Sequence, residues 1–333
     1  REYSEADEWT VGQLKRAFPK AIFLGVVRPT AAGFSSLLNP PDDFRVQPED
    51  RLALLARRPE DIAAIEPAPE DVSIEPAGPL PAAQPSGIHR VLILGWNYHI
   101  PALIKEFGTY KNESYHLTLG SLRPLPEREK ELQGLQDRSP RVQWEHAEVD
   151  FVKEPELRKL DPTVFDHIIL LSSDRLADEE EADARTIVGY VLLEEILEGA
   201  DRRPQILLEL SDPSNEVLIR RFQSEAIISP MVMSHLLATV ALRPELHCVY
   251  NDLFTVGQAE IIFRSPEAYG LPRGVLRFRE LQQQGARHRE TVLGISAGPA
   301  EPGQGGTLFL NPGQDRKIDL QVDTRLVVLR TAP

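Results

Sequence analysis

The stretch VLILGWNYH, Val91–His99, decides the fold. Four apolar, mostly branched residues run into Gly95, which is how the first strand and turn of a dinucleotide-binding fold begin. The four residues that follow Gly95 include no further glycine, and the first of them is the bulky Trp96. The segment therefore predicts a Rossmann-like first strand whose turn lacks the glycines that bring backbone N–H groups close to a phosphate.

Downstream of this segment, strand patterns alternate with helix patterns. Strands are predicted at 89–95, 115–120, within 142–151, and at 166–173, 205–210 and 225–228, with helices at 100–108, 180–197 and 215–223. The continuous apolar run in 166–173 predicts a strand buried on both faces. This alternation predicts an α/β fold with a doubly wound parallel sheet.

An internal repeat brackets the predicted parallel sheet. Three ordered blocks match, namely Leu24-Gly25 with Leu293-Gly294, Leu38-Asn39-Pro40 with Leu310-Asn311-Pro312, and Arg51-Leu52 with Arg325-Leu326. A helix over 11–18 and strands at 21–27 and 51–56 make the first copy a small α+β unit. The match predicts that a small lobe is duplicated, with one copy before and one copy after the residues of the parallel sheet along the chain.

Composition places the boundaries between these parts. Residues 62–87 are rich in Pro and Ala, which is typical of a semi-extended linker. The predicted domains are therefore 1–61, the linker 62–87, 88–243 and 244–333. The chain begins at Arg1 rather than at a methionine, so we expect it to be part of a longer protein.

Bulk properties narrow the class of protein. A formal charge of −14 with no basic cluster argues against nucleic acid as a partner; it favours either a solubilising surface or one that meets cations. The single cysteine, Cys248, excludes an internal disulfide and a cysteine-rich zinc site. No apolar run reaches the roughly 20 residues that cross a bilayer, and no signal peptide is present, so we expect a soluble, cytosolic chain.

The first strand-turn is the candidate nucleotide site. The second strand ends in Gly120 and Ser121, followed by Arg123, instead of the acidic residue that holds a ribose diol. Three interpretations stay open: an NAD or adenine nucleotide site, a turn with a structural role, and a different ligand in the same crevice. The candidate ligand-binding residues are Gly95, Trp96, Asn97, Asp174 and Arg185.

Carboxylates follow the fourth and fifth predicted strands. The segment SSDRLADEEEADAR, 172–185, holds six acidic residues within ten positions, and LELSDPSNE, 208–216, follows the next strand. Ca²⁺ binds several oxygens of this kind, which makes Asp174, Asp178, Glu209 and Asp212 candidate metal ligands. The alternative is that these acids cap helices, as acidic residues at a helix N-terminus commonly do.

No motif indicates an enzyme. The sequence has no Gly-x-Ser-x-Gly, no His-Glu-x-x-His and no P-loop, and its eight histidines are scattered. We therefore predict a protein without catalytic residues.

Four stretches together are similar to the Castor/Pollux group of ion channels, which carry RCK (regulator of K⁺ conductance) domains related to the TrkA proteins of bacterial transport. They are ILGWNYHIPALIKEF, HIILLSSDRLADEEEADARTIVGYVLLEEI, LLELSDPSNEVL and SEAIISPMVMSHLLATVALRPELHCVYNDLF. The resemblance implies that residues 1–61 are the C-terminal lobe of one RCK domain. It also makes 88–243 a Rossmann-like RCK N-lobe with its interface helix, and 244–333 its C-terminal lobe.

The same resemblance implies a function. The chain would be the gating-ring part of a cation channel on the cytoplasmic side of a membrane, itself soluble and non-enzymatic. It would form a homo-oligomer, a tetrameric ring of eight RCK domains, pairing through helices at 230–242 and 244–254, with a pore segment upstream or in a separate protein. Ca²⁺, another cation or a nucleotide would bias the ring, since a ligand acts by preferring one conformation.

Two alternatives remain, a TrkA-like regulatory subunit of a cation transporter and an NAD(P)-dependent oxidoreductase. The family usually follows its Gly-Trp pair with an arginine and then an aspartate. This chain instead has Asn97 and His99, which weakens the case for any ligand held by those two charges.

Overall fold

The computed structural model of the chain describes residues 9–63, 80, 87–110, 113–137, 139–173, 179–219, 225–298 and 307–331. They fall into two compact units. The first combines both ends of the chain, up to residue 82 and from residue 239, and the second is residues 83–238. Most of the predicted linker 62–87 lies outside the described residues.

The N-terminal lobe of the first unit contains one helix and a three-stranded antiparallel sheet. Its elements are α1 (Val11–Ala17), β1 (Ala21–Thr30), β2 (Gly33–Leu38) and β3 (Arg51–Ala56), with sheet order β2-β1-β3. A capping box starts α1: the Thr10 hydroxyl accepts the Gln13 N–H at 3.3 Å, and the Gln13 side chain accepts the Thr10 N–H at 2.8 Å. The predicted helix and two strands are confirmed, and β2 was not predicted.

The second unit has the predicted parallel sheet. Its elements are β4 (Ile88–Leu94), α2 (Ile100–Phe107), β5 (Ser114–Gly120), α3 (Leu125–Leu132), β6 (Val142–Ala147), α4 (Glu154–Lys159), β7 (His167–Leu170), α5 (Glu179–Ile196), β8 (Gln205–Leu210), α6 (Glu216–Ile219), β9 (Glu225–Ile228) and α7 (Ser229–Leu242). All neighbouring strands pair in parallel, in the order β6-β5-β4-β7-β8-β9. This is the doubly wound topology, and the predicted fold class is confirmed.

The two faces of this sheet are buried to different extents. Ile168 and Leu170 of β7 are fully buried in the core that contains Tyr190 of α5. On the opposite face Ile169 is only partly buried, and Ile227 of β9 is 45% exposed. The prediction that the 166–173 strand is buried on both faces is therefore confirmed for the first face and only partly for the second, where Leu171 is buried but an open cleft of about 380 Å³ beside α2 adjoins Ile169.

The C-terminal lobe completes the first unit. Its elements are α8 (Leu246–Phe254), β10 (Ala259–Arg264), β11 (Gly274–Arg277), α9 (Phe278–Arg287), β12 (Thr291–Ala297), β13 (Thr307–Leu310), β14 (Lys317–Leu320) and β15 (Arg325–Thr331). The main sheet is antiparallel in the order β10-β15-β12-β13, and β11 pairs with β14.

The predicted repeat is confirmed at the level of the backbone. β1 and β12 hold the same position in their sheets, and each has a register shift that ends at its glycine, Gly25 or Gly294. A Cβ there would lie 2.2 Å from the Leu37 carbonyl oxygen in one lobe and 2.3 Å from that of Phe309 in the other. Close backbone approach therefore requires glycine at both positions.

The two lobes hold each other through equivalent asparagines. Asn39 Nδ2 donates to the Arg289 carbonyl at 2.7 Å, and Asn39 Oδ1 accepts the Thr291 hydroxyl at 2.7 Å. In return, Asn311 Nδ2 donates to the carbonyl of Lys20, the repeat counterpart of Arg289, at 2.8 Å. Both asparagines have left-handed backbone, with φ of 45° and 47°. Each lobe thus supplies a side chain that binds the other lobe at the start of β1 or of its repeat counterpart β12.

We predict that Asn39→Gly and Asn311→Gly each lower the free energy of unfolding of the first unit by about 1–3 kcal/mol, because buried partners lose their hydrogen bonds. Glycine tolerates the positive φ, so the loss reports the side chain rather than backbone strain. Urea unfolding measures the effect, and Gly313→Ala, which strains a nearby left-handed position without touching either asparagine, serves as the control. If Asn39→Gly and Asn311→Gly both had wild-type stability, the proposed role of the two asparagines in joining the lobes would be contradicted.

Candidate functional site

The candidate site lies where β4, β7 and β8 end. β4 and β7 are neighbours at the middle of the sheet, and the chain leaves them toward different sides, which is where open α/β folds bind ligands. Gly95 and Asn97 follow β4, and Glu209 lies near the end of β8. The structure brings Asn97 and Glu209 into contact and places Arg185 in a second cleft nearby.

Gly95 is required by the neighbouring strand. Its φ is +96°, and a Cβ would lie 2.5 Å from the Leu171 carbonyl oxygen just after β7. Its N–H donates to the Gly120 carbonyl at 2.9 Å. The glycine that resembled the start of a phosphate loop therefore lets β4 run close to β7.

Asn97 closes the turn with its side chain. It is 3% exposed; its Nδ2 donates to the Ser172 carbonyl at 2.9 Å and to Glu209 Oε2 at 2.8 Å. Its Oδ1 accepts the His99 N–H at 3.0 Å. One buried amide thus joins the ends of β4, β7 and β8.

The N-terminus of α2 offers few donors to a phosphate. The His99 N–H is bonded to the Asn97 side chain, and the Ile100 N–H points to the Asn97 carbonyl at 3.3 Å. Pro101, in the first turn, has no N–H. A pyrophosphate bound in the dinucleotide manner relies on such N–H groups, so this turn fits the structural interpretation of the sequence.

Trp96 anchors the turn to α3. Its ring is 2% exposed, and Nε1 donates to Glu131 Oε2 at 2.8 Å. The guanidinium groups of Arg123 and Arg128 lie 6.0 and 5.9 Å from the ring centroid. Arg128 is itself buried, which lowers its pKa, and it donates to the Leu119 and Ala147 carbonyls at 3.2 Å.

A cleft of about 270 Å³ lies beside the turn and contains Arg185. Its lining includes Ser121, Arg123 and Asp150. Arg185 Nη2 lies 2.7 Å from Asp150 Oδ1, and Arg123 Nη2 lies 2.5 Å from Glu131 Oε1. An anionic ligand in this cleft would compete with carboxylates for both arginines. Asp150 was not among the predicted site residues, because it belongs to a loop without a motif.

Two of the acidic residues cap a loop. Asp183, fully buried at the start of α5, accepts the Ser211 N–H, the Asp212 N–H and Asn215 Nδ2, each at 2.9 Å. Asp212 accepts the Ser214 N–H at 2.8 Å, which lowers the pKa of Asp212. The capping interpretation is confirmed for Asp212, which caps the short turn Pro213–Asn215. Asp183 does not cap its own helix; it binds the loop that follows β8.

The predicted metal set is only partly described. Asp174 and Asp178 lie outside the described residues, and Asp212 is engaged as a cap. Within the described ranges no group of three His, Cys, Asp or Glu residues could hold a metal ion. The cation site around Asp174, Asp178, Glu209 and Asp212 therefore stays a prediction.

Glu209 connects the crevice to α7. Oε2 accepts Asn97, and Oε1 accepts the hydroxyl of Ser229, the first residue of α7, at 2.7 Å. His99 Nε2 lies 3.4 Å from Oε1. The Glu209 side chain is only 14% exposed. The contact of Ser229 was missed in the sequence, although a Ser-Pro pair at a helix start signals a helix N-terminus.

α7 presents apolar side chains to solvent. Five of them are between 48% and 83% exposed, namely Met231, Val232, Met233, Leu237 and Leu242. Several exposed apolar side chains on one helix are typical of an interaction site. No helix in the described ranges is long and apolar enough to cross a bilayer.

We predict that Gly95→Ala lowers the free energy of unfolding of the second unit by about 2–4 kcal/mol, because the methyl group would overlap the Leu171 carbonyl. Gly199→Ala is the matched control: it has a left-handed φ of +75° but no atom within 4 Å of its added Cβ. Gly199→Ala tests backbone strain alone, and we expect it to lower the free energy of unfolding by about 1–2 kcal/mol. Equal losses in thermal or urea unfolding would show that the close approach does not matter.

Comparison with known proteins adds relatives and a fold. No family model matches the chain. It is 24% identical over 318 residues to the probable ion channel CASTOR of Oryza sativa subsp. japonica, covering 86% of this chain and 35% of that protein. It is 22% identical over 330 residues to the probable ion channel POLLUX of the same organism, covering 88% and 33%. The chain thus spans about a third of the length of these relatives.

A solved structure supports the fold over the whole chain. The human SLO3 gating ring superposes with a TM-score of 0.69 and 14% identity, covering 98% of this chain and 65% of that one. The chain is therefore similar in sequence to the Castor/Pollux ion channels and has the fold of a channel gating ring.

Proposed function

We propose that this chain is the cytoplasmic regulatory part of a cation channel, built from RCK domains that couple ligand or ion binding to pore opening. The observation that carries the proposal is the agreement between its gating-ring fold and its similarity to ion channels over 86% of the chain. The parallel sheet is an RCK N-lobe in this proposal, and the paired small lobes are the C-terminal lobes of two consecutive RCK domains.

The proposal includes assembly into a ring, a tetramer with eight RCK domains. Its support is the apolar surface of α7, where Met231, Met233 and Leu237 are 48%, 50% and 64% exposed. Exposed apolar side chains on a helix gain free energy when a second copy covers them. α8 follows directly in the chain, and the resemblance to RCK domains implies that it also takes part in the pairing.

The crevice would act on the ring through Glu209. Its carboxylate bonds the β4 turn through Asn97 and the start of α7 through Ser229. A ligand that displaces Asn97 or Ser229 from Glu209 would change how the start of α7 is hydrogen-bonded to the crevice. Such a ligand shifts the ring only as far as it prefers one arrangement over the other.

A non-enzymatic role is part of the proposal. The N–H groups at the start of α2 are bonded within the turn or absent at Pro101, which speaks against an NAD(P)-dependent oxidoreductase. A TrkA-like regulatory subunit shares the fold and differs in having its pore in a separate protein. The gene that encodes the chain distinguishes them, because a channel carries pore-forming helices in the same polypeptide.

We expect the purified chain to self-associate, and Met231→Glu with Leu237→Glu to dissociate it, because two carboxylates would be buried in the interface. Val322→Glu is the control, since Val322 is 57% exposed in the C-terminal lobe, outside α7. Sedimentation velocity measures the mass. A chain that remains monomeric at high concentration, with and without cations or nucleotides, would contradict assembly by this part alone.

We expect one of Ca²⁺, Mg²⁺, K⁺ or an adenine nucleotide to raise the melting temperature. A ligand at 100 times its Kd adds about 2.7 kcal/mol to the folded state. Asp174→Asn with Glu209→Gln should abolish a cation-dependent shift, whereas the control pair Asp201→Asn with Glu267→Gln, two exposed acids, should preserve it. No shift with Ca²⁺, or a shift that survives the first pair, would refute the cation site.

A further inference from the structure

A cavity of about 230 Å³ lies in the first unit, between its two small lobes. α1 of the N-terminal lobe lines one side and α9 of the C-terminal lobe lines the other, while Phe23 of β1 and Val292 of β12 form an apolar part of the lining. No residue of the parallel sheet lines this cavity. It is therefore a feature of the paired lobes and is separate from the crevice beside Gly95.

Equivalent faces of the two helices line the cavity. Gly12 and Arg279 each lie two residues after the N-cap of their helix. Their N–H groups donate to backbone carbonyls of equivalent loops, at Asp42 and Gln314, both at 2.9 Å. One helical turn further on, the lining continues with Lys15 and Arg16 on α1 and with Gln282 and Gln283 on α9. The duplication thus brings the same helix face to the cavity from both lobes.

These two helix faces are polar. Each helix also has an apolar face, on which Leu14 and Leu281 are fully buried in the core. The faces that meet across the cavity carry basic side chains on α1 and amides on α9 instead. Polar groups that line a gap are normally satisfied by water or by a polar ligand. The cavity therefore suits a polar occupant.

Three acidic residues line the cavity, and each is bonded to a basic side chain. Glu290 lies 2.6 Å from Arg264, which is outside the lining. The carboxylate of Asp42 lies 2.8 Å from Lys15 Nζ. The third acid, Asp315, is bonded to Arg279, and its side chain is 68% exposed. Solvent therefore screens the charge of Asp315 more than that of the other two acids.

Arg16 gives the cavity an excess of positive charge. With Glu290 neutralised by Arg264, two acids remain in the lining against three basic residues, namely Lys15, Arg16 and Arg279. The Nε and Nη2 atoms of Arg16 are buried. An excess of one positive charge inside a chain of net charge −14 is a local feature that attracts an anion.

We propose that this cavity binds a small organic anion, whose carboxylate or phosphate group is held by Arg16 between α1 and α9. The planar guanidinium group matches carboxylate and phosphate oxygens and forms charge-assisted hydrogen bonds with them. Gln282 and Gln283, on the opposite wall, can both donate to and accept from the other polar groups of the ligand. Phe23 and Val292 contact its carbon skeleton.

The size of the cavity limits the ligand. Sites for drug-sized molecules measure about 300–1,000 Å³, and this cavity is smaller, so it takes a compact acid rather than a dinucleotide. Because the anion contacts both helices, its binding joins the two lobes. The site does not depend on the proposed channel role; if that role holds, the ligand would bridge the C-terminal lobes of two consecutive RCK domains.

Calorimetric titration of the purified chain with sodium phosphate and with sodium malonate, in buffer whose only other anion is chloride, tests the site. We expect saturable binding of at least one probe, and the tighter of the two identifies the preferred anionic group. Hydrogen exchange should slow at 11–17 and 278–287 when the probe is bound, because a ligand stabilises the state to which it binds.

Four variants locate the binding. Arg16→Gln should weaken it about tenfold or more through the loss of a charge-assisted hydrogen bond, whereas Arg58→Gln, at a side chain that is 72% exposed outside the cavity, should leave it unchanged. Gln283→Glu, an exposed position on the opposite wall, should also weaken binding by adding a negative charge. Asp42→Asn should strengthen it severalfold by releasing Lys15, a gain that misfolding cannot produce.

The proposal is overturned if neither probe binds saturably, or if Arg16→Gln and Gln283→Glu both bind as the wild type does. Binding that is lost in Arg185→Gln but kept in Arg16→Gln would place the anion in the crevice of the parallel sheet and would also overturn it. None of these outcomes bears on self-association through α7, so the failure of this site and the failure of the proposed function are distinguishable.

Discussion

The close approach of β4 to β7 organises the second unit. Gly95 sits against the Leu171 carbonyl with no room for a Cβ, and the buried amide of Asn97 bonds the Ser172 carbonyl one residue further on. These contacts join the two central strands at the point where the chain leaves them toward different sides of the sheet. A side chain at Gly95 would push the strands apart.

The same contacts determine what the crevice can bind. In a dinucleotide site the first turn keeps its N–H groups for a pyrophosphate. Here the His99 N–H is taken by Asn97, and Pro101 has none to offer. The polar groups that elsewhere hold a ligand are used to join β4, β7, β8 and, through Glu209, the first residue of α7. The turn after β4 thus connects the central strands to α7.

Equivalent asparagine side chains join the two small lobes in both directions. The side chains of Asn39 and Asn311 each hydrogen-bond the other lobe at the start of β12 or β1, so each side-chain amide finds its partners outside its own lobe. Both asparagines have left-handed backbone, and their side chains reach from one lobe to the other. The matched Leu-Asn-Pro blocks in the sequence thus contribute equivalent asparagines to one interface between the two lobes. The two lobes differ where α8 packs on β2 and β10 pairs with β15, because neither element has an equivalent in the repeat within the described residues.

The parallel sheet, the repeat and the cap at Asp212 could be predicted from the sequence, because alternation, matched blocks and an Asp before a helical turn are local signals. The sequence also indicated that the Val91–His99 turn had lost its phosphate-binding glycines. The tertiary structure was needed to show that the close approach at Gly95 involves Leu171, that Asn97 contacts Glu209, and that Asp183 accepts hydrogen bonds from the loop 211–215. The partners in these contacts lie between 28 and 112 positions apart in the chain, and no local pattern encodes which distant group a folded strand brings alongside.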